Sequence, residues 1–212
     1  RGPLIWSIRH SLRDLSHEKF LTRQIIRLNR FLSSKIDCIF YNSISGESSH
    51  RAFGFSTSKS IVIQNGFDTQ KFKLHSDRRE IWRSKFGISP DQILVGQLCR
   101  YHPVKNTANL LEAFALFHRS HPSSKLVLGG RGMEPQNSRL WSTIERLRLG
   151  DSTILAGLIE DPAGFLSALD IYVSTSATEA FPNALGEAMV GALQSAFASI
   201  GRSDVRVVVL SA

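Results

Sequence analysis

Hydrophobic and polar positions fall into a repeating order over the second half of the chain. The short apolar runs "QILVGQL", "SKLVLGG", "STILAG" and "DIYVST" alternate with "TANLLEAFALFHRS", "SRLWSTIERLRL", "PAGFLSAL" and "NALGEAMVGAL", in which apolar residues recur every three or four positions. Runs apolar on both faces read as buried strands, and each is followed by an amphipathic helix, which is the pattern of a parallel sheet covered on both sides. The fold class expected is therefore doubly wound α/β. In the first third, "PLIWSI", "DCIFYNS" and "SIVIQNGF" predict three more strands, with Asn42-Ser43 supplying the turn or cap for a helix through His50 and Asp68 placed to cap or turn the chain. Residues 18–33 predict a helix with Leu21, Ile25, Leu28 and Leu32 on one side and Arg23, Arg27 and Arg30 on the other. Its apolar side is expected to pack on its own sheet, leaving the arginines in water. The polar stretch Thr69 to Ser76 marks a boundary, so residues 1–72 and 73–212 are read as two Rossmann-like parts.

Composition narrows the partners. The 212 residues, 42% of them hydrophobic, suffice for a folded, soluble protein with a sizeable core. Lys and Arg outnumber Asp and Glu by 26 to 18, a formal charge of +8 that favours phosphorylated ligands, nucleic acid or an acidic membrane surface. The only cysteines, Cys38 and Cys99, each sit inside an apolar run. They support neither a disulfide framework nor a metal site with paired ligands, and a reducing compartment is expected. No apolar run reaches the roughly 18 residues of a membrane span, and "RGPLIWSIRH" has neither an initiator Met nor the layout of a signal peptide.

In a doubly wound sheet ligands bind at the carboxyl ends of the strands, which directs attention to the loops that follow them. "RYHPVKN" places Arg100 and Lys105 on one loop, a fork and a point charge suited to the oxygens of one diphosphate, although two solvated cations are the plain alternative. "LGGRGME" puts Gly130 and Gly132 at a strand end, where backbone can approach a ligand; a tight strand-to-helix turn explains the same glycines. It matches neither a P-loop nor a dinucleotide fingerprint. "TEAFPNALGEAM" holds Glu179 ahead of Phe181-Pro182-Asn183, which open a helix whose unpaired N–H groups form an anion site, and Glu187 lies about one turn further in.

Taken in order, these passages resemble glycosyltransferase family 4, the retaining glycosyl transferases of group 1 with the GT-B fold. The residues that carry the resemblance are "VIQNGFDTQKF", "VGQLCRYHPVKN" followed by "LLEAFALF", "KLVLGGRGM", "ILAGLIEDPAGFLSALDIYVSTSATEAFPN" and the Glu-x7-Glu pair Glu179 and Glu187. The resemblance implies that Glu179 contacts the hydroxyls of the donor sugar and Glu187 the nucleotide ribose. It implies that Arg100 and Lys105 neutralise the diphosphate leaving group, that backbone around Phe181, Pro182 and Asn183 lines the donor, and that Leu158-Ile159 hold the base. His10, at the end of "PLIWSIRH", matches a histidine that approaches the donor sugar. The resemblance further implies transfer with retention by front-face attack, without metal or other cofactor. The implied partners are a nucleoside-diphosphate sugar and a glycan or lipid-linked acceptor of a cell-surface polysaccharide.

Against that family Ala180 and Gly186 replace the commoner Gly and Leu, and the tail after about residue 190 lacks the Pro of a Gly-x-Pro turn. The expectation is a fragment: the C-terminal part of an acceptor-side domain over 1–72, then a mostly present donor-binding domain over 73–212 with an atypical tail. A non-catalytic nucleotide-binding remnant is the alternative. Nucleic-acid binding is set aside because no aromatic stacking platform accompanies the Arg23, Arg27, Arg30 stripe. The location expected is cytoplasmic, with a peripheral contact through that stripe to the inner face of an anionic membrane.

Overall fold

The structure is a computed structural model that describes residues 2–12, 15, 18–56, 58–72, 75–177, 182–198 and 206–209, of which 193–198 and 206–209 are described as backbone. The chain forms two compact units. One comprises residues up to Gly66 together with Pro182 and Asn183; the other runs from Phe67 to Ala177 and resumes at Ala184. The division thus falls between Gly66 and Phe67, ahead of the turn in which Asp68 accepts hydrogen bonds from the Gln70 and Lys71 amides, both at 3.0 Å.

In the first unit, β1 (Ile5–Ile8), β2 (Cys38–Tyr41) and β3 (Ser60–Val62) form a parallel sheet in that order. Two helices accompany it, α1 (Phe20–Leu32) and α2 (Ile44–Phe53). Helix α2 begins where expected: the Ser43 hydroxyl accepts from the Gly46 amide at 3.0 Å, and Gly54 closes the helix in the left-handed region. Alternate strand residues Trp6, Ile8, Ile39 and Tyr41 pack on one face together with Ile36 and Val62.

Helix α1 corrects the sequence reading. Ile26 is its one buried residue, whereas Leu21 and Leu28 are 69% and 58% exposed and Ile25 and Leu32 are exposed as well. The stripe predicted to pack on the sheet faces outward in this chain, joined by Phe20 and Phe31. Periodicity establishes that a helix has an apolar side; it does not say what that side meets.

The second unit is built as expected, with a parallel sheet covered on both faces. Its elements are α3 (Ser76–Lys85), β4 (Leu94–Leu98), α4 (Thr107–Ser120), β5 (Lys125–Gly129), α5 (Ser138–Arg146), β6 (Thr153–Gly157), α6 (Pro162–Ala168), β7 (Ile171–Ser174), α7 (Asn183–Ala198, whose first residue groups with the other unit) and β8 (Arg206–Val209). The strand order is β6-β5-β4-β7-β8, and every pair is parallel. Val95, Leu126, Leu128 and Val173 pack on one side with α4 and α5; Leu94, Val127 and Tyr172 pack on the other with Phe165, Leu166, Leu185 and Ala188. Helix α6 is capped by Asp161, which accepts from the Gly164 amide at 3.1 Å, with Pro162 in its first turn.

Four features go beyond the sequence reading. Helix α3 occupies the polar stretch after the predicted boundary, and the chain past residue 190 continues α7 to Ala198 and adds β8 beside β7. The glycine at 186 is matched to a neighbour. A Cβ there would lie 2.3 Å from Cζ of Phe67, so the Phe67 ring occupies the space that a larger residue at 186 would take. Finally, Asp170 ties three elements together: it accepts from Arg79, from Arg83 at 2.9 Å and from the Leu94 amide at 2.7 Å.

Candidate functional site

Neighbouring strands β4 and β7 leave the sheet centre in opposite directions, because the chain passes from β4 out to β5 and β6 before returning as β7 on the other side. That reversal is the topological switch point, and loops diverging from it open a crevice at the carboxyl ends. Arg100 to Asn106 follow β4 there, and Thr175 to Ala177 follow β7.

Close backbone approaches hold the strand ends as one rim. The Gly130 amide donates to Gly157 O at 2.6 Å, the Gly157 amide to Met133 O at 3.1 Å, and the Tyr101 amide to Arg131 O at 2.8 Å. Gly130 has φ +123°, and a Cβ on it would sit 2.1 Å from the carbonyl oxygen of Cys99; one on Gly132 (φ +85°) would sit 2.8 Å from Cβ of Tyr101. Both glycines are therefore required by conformation and by contact. Glu134 accepts from the Gly132 amide at 3.1 Å, and Asn137 donates to Gly132 O at 2.6 Å, so the glycine-rich turn is fastened from its far side too. Ile159 packs over Gly129, whereas Leu158 is 68% exposed. Arg100, Gly130, Gly132 and Ile159 thus belong to one continuous edge, with Arg100 exposed and Lys105 half-buried at the end of a short 3-10 turn, Pro103–Lys105.

Helix α7 places Glu187 half-buried beside α6, where it lines a small cavity with Ala163, Leu166, Ser167, Tyr172 and Phe72. Burial raises its carboxyl pKa, and the nearby Lys71 opposes the rise. Pro182 precedes the helix, and the Asn183 side chain accepts from Asn65 Nδ2 at 2.5 Å. Glu179 and Phe181 lie outside the described residues.

His10 lies two residues past β1 in the first unit. Its ring meets that of His50 edge to face at 5.1 Å, and His50 is in turn enclosed by Tyr41 and Phe55. His50 Nδ1–H donates to Gly46 O at 2.8 Å. Burial lowers the pKa of both imidazoles, that of His50 to about 4, so His10 stands on a neutral ring. Both rings line a groove of about 390 Å³, together with Ile5, Trp6, Ile8 and Ile26 and the polar Ser7 and Asn29.

The sequence reading missed three polar residues behind the β4 loop. Gln97, Thr107 and Thr175 are buried and bonded to one another, and Thr175 bonds to the loop carrying Lys105. The available signal was a Gln inside the otherwise apolar run "QILVGQL". Among the described residues no three His, Cys, Asp or Glu side chains are placed to hold a metal ion, and no helix is long and apolar enough to cross a membrane.

Comparison with known proteins identifies the family and the type of fold. The family model described as glycosyl transferases group 1 matches residues 78–192, more than half of the chain. EpsF of Bacillus subtilis (strain 168), described as a glycosyltransferase, is 26% identical over 132 residues, which are 62% of this chain and 34% of EpsF. Among solved structures, HepE of Anabaena in complex with UDP and glucose superposes with TM-score 0.79 at 24% identity, over 91% of this chain and 52% of that one. WaaG, a glycosyltransferase involved in lipopolysaccharide biosynthesis, superposes with TM-score 0.74 at 16% identity, over 98% of this chain and 56% of its own. These likenesses show the GT-B type of fold, and the chain spans about a third of EpsF and about half of HepE and WaaG.

Proposed function

The chain belongs to the glycosyl transferases of group 1, and from that premise we propose that it carries the donor-binding half of an enzyme that moves a sugar from a nucleoside-diphosphate sugar to a glycan or lipid-linked acceptor in cell-surface polysaccharide synthesis. The observation that carries the reading is the placement of Arg100 and Lys105 on one loop at the switch point, next to a glycine-rich turn that keeps side chains out of the rim. Departure of a nucleoside diphosphate builds negative charge on its phosphate oxygens, and cations fixed there stabilise that charge most in the transition state. Arg100 and Lys105 fill that role, so the reaction needs no metal.

Glu187, half-buried against α6, accepts hydrogen bonds from the ribose hydroxyls, and the backbone at Leu158 and Ile159 meets the base. By the family resemblance Glu179 takes the donor sugar with the backbone at Phe181, Pro182 and Asn183, and His10 is assigned to the same sugar. By the same resemblance the sugar is transferred with retention, by front-face attack of the acceptor hydroxyl. UDP is the first nucleotide to try, because HepE is seen with UDP and with UDP-glucose.

Incubation with UDP-, GDP- and ADP-sugars, with and without EDTA, tests this. Sugar should be released or transferred from one nucleotide class only, unchanged by the chelator. Equal rates from all classes, or a rate abolished by EDTA, would sink the assignment. Nucleotide binding without any release of sugar would instead mark a non-catalytic nucleotide-binding module.

The exposed apolar side of α1, flanked by Lys19, Arg27 and Arg30, supports peripheral contact with an anionic, cytoplasm-facing membrane. Sedimentation with phosphatidylserine vesicles should fall as salt rises and be lost in an Arg23→Ala, Arg27→Ala, Arg30→Ala variant; retention by the variant removes the idea.

A further inference from the structure

Gln97, Thr107 and Thr175 are 2%, 3% and 0% exposed, at the ends of β4 and β7 and the start of α4. Polar groups so deep among apolar neighbours are costly unless each finds a partner, and a fully paired set is rigid. Here the pairing is complete and has a direction. The Thr107 hydroxyl donates to Gln97 Oε1 at 3.2 Å, and Gln97 Nε2 donates to Thr175 Oγ1 at 3.1 Å. The Thr175 hydroxyl then donates forward, to Lys105 O at 2.9 Å and Asn106 O at 3.1 Å. Two residues further along, the Ala177 amide donates to Val104 O at 2.9 Å.

Three successive carbonyls of the β4 loop, 104 to 106, are thus held by the segment leaving β7. The hold bears on a tight turn, because Asn106, of a residue type that tolerates the left-handed region, adopts it at φ +49°. Apolar side chains at all three positions together would fill the core as well. What the polar set adds is a fixed backbone under Lys105.

We infer that Gln97, Thr107 and Thr175 are positioning residues: they form a brace that locks the Lys105 loop to the exit of β7, so that the phosphate-binding cation and the segment leading toward Glu179 keep one geometry. This rests on the reading of Arg100 and Lys105 as the diphosphate site.

The test uses the whole chain and the isosteric change Thr175→Val, with Thr175→Ser as the conservative control. UDP and uridine are titrated, and amide hydrogen exchange is measured at Ala177, Lys105 and Asn106. Thr175→Val should weaken UDP about tenfold while leaving uridine unchanged, and should speed exchange at Ala177 about tenfold beyond what the accompanying loss of global stability produces, since Gln97 Nε2 and two loop carbonyls lose their partner. Thr175→Ser should restore both. A merely structural role would lower UDP and uridine affinity together, and that result, or unchanged exchange at Ala177, overturns the proposal. Should Thr175→Val fail to fold, Thr107→Val breaks the same chain of bonds at its other end and carries the same expectations. If the wild-type chain binds no UDP, the nucleotide reading fails and the exchange arm alone decides whether the brace holds the loop.

Discussion

Asp170→Ala is expected to be among the most damaging single changes in the second unit, lowering its stability by about 3–5 kcal/mol. The carboxylate neutralises two guanidinium groups from successive turns of α3. Arg83 is the deeper of the two, its side chain 8% exposed, and also donates to Ser89 O and Gln92 O, each at 2.7 Å. Arg79 donates to the carbonyls of Ser167, Ala168 and Leu169 at the end of α6. Removing the carboxylate leaves both cations bonded to carbonyls but without a countercharge, and strands the Leu94 amide at the start of β4. An unpaired buried charge is what makes such deletions expensive, whereas the intact pair contributes little net stability. Chemical denaturation should show the loss, and in a thermal scan it amounts to a fall of roughly 10 °C for a unit of this size. Combining Asp170→Ala with Arg83→Met should recover part of it; a single variant within about 1 kcal/mol of wild type would mean that α3 is not held this way.

Gly130→Ala should cost about 3 kcal/mol or more and impair the site as well. The new methyl would meet the carbonyl oxygen of Cys99 at 2.1 Å and its carbon at 2.7 Å, and both atoms are backbone. They cannot swing aside, because the Cys99 amide is bonded to Gly129 O at 2.9 Å and the Tyr101 amide to Arg131 O at 2.8 Å. Relief requires the β4 and β5 exits to separate, which displaces Arg100, the residue after Cys99. Stability and nucleotide affinity should therefore fall together. Gly150→Ala is the control, since nothing lies within 4 Å of a Cβ there; it should be close to neutral by denaturation and by binding.

Much of the second unit was legible because its signals are local. Continuous apolar runs and the helices between them define parallel strands, and Arg100 and Lys105 sit directly after one of them. Ser43 and Asp68 could be assigned as cap and turn because such bonds span only two or three residues. What was missed depends on distant partners. Helix α3, "SDRREIWRSK", is too polar to announce itself, and its docking comes from Trp82 and from arginines whose carboxylate lies 87 to 91 positions away. The brace behind Lys105 joins Gln97 to a threonine 78 positions on. The outward face of α1 could not be foreseen either, because an amphipathic period is identical whether its apolar side meets the chain's own sheet or something else. Strand β8, short and set in the tail that departs from the family pattern, gained its place by pairing with β7.

Calorimetric titration of the chain with UDP, GDP and ADP, beside an Arg100→Ala, Lys105→Ala variant, tests the donor-site assignment most directly. One nucleotide should bind, and the double variant should weaken it by about 100-fold or more, the effect of losing two charge-assisted contacts to phosphate. Wild-type affinity in a folded double variant, or no binding of any of the three nucleotides by a folded wild-type chain, would contradict it.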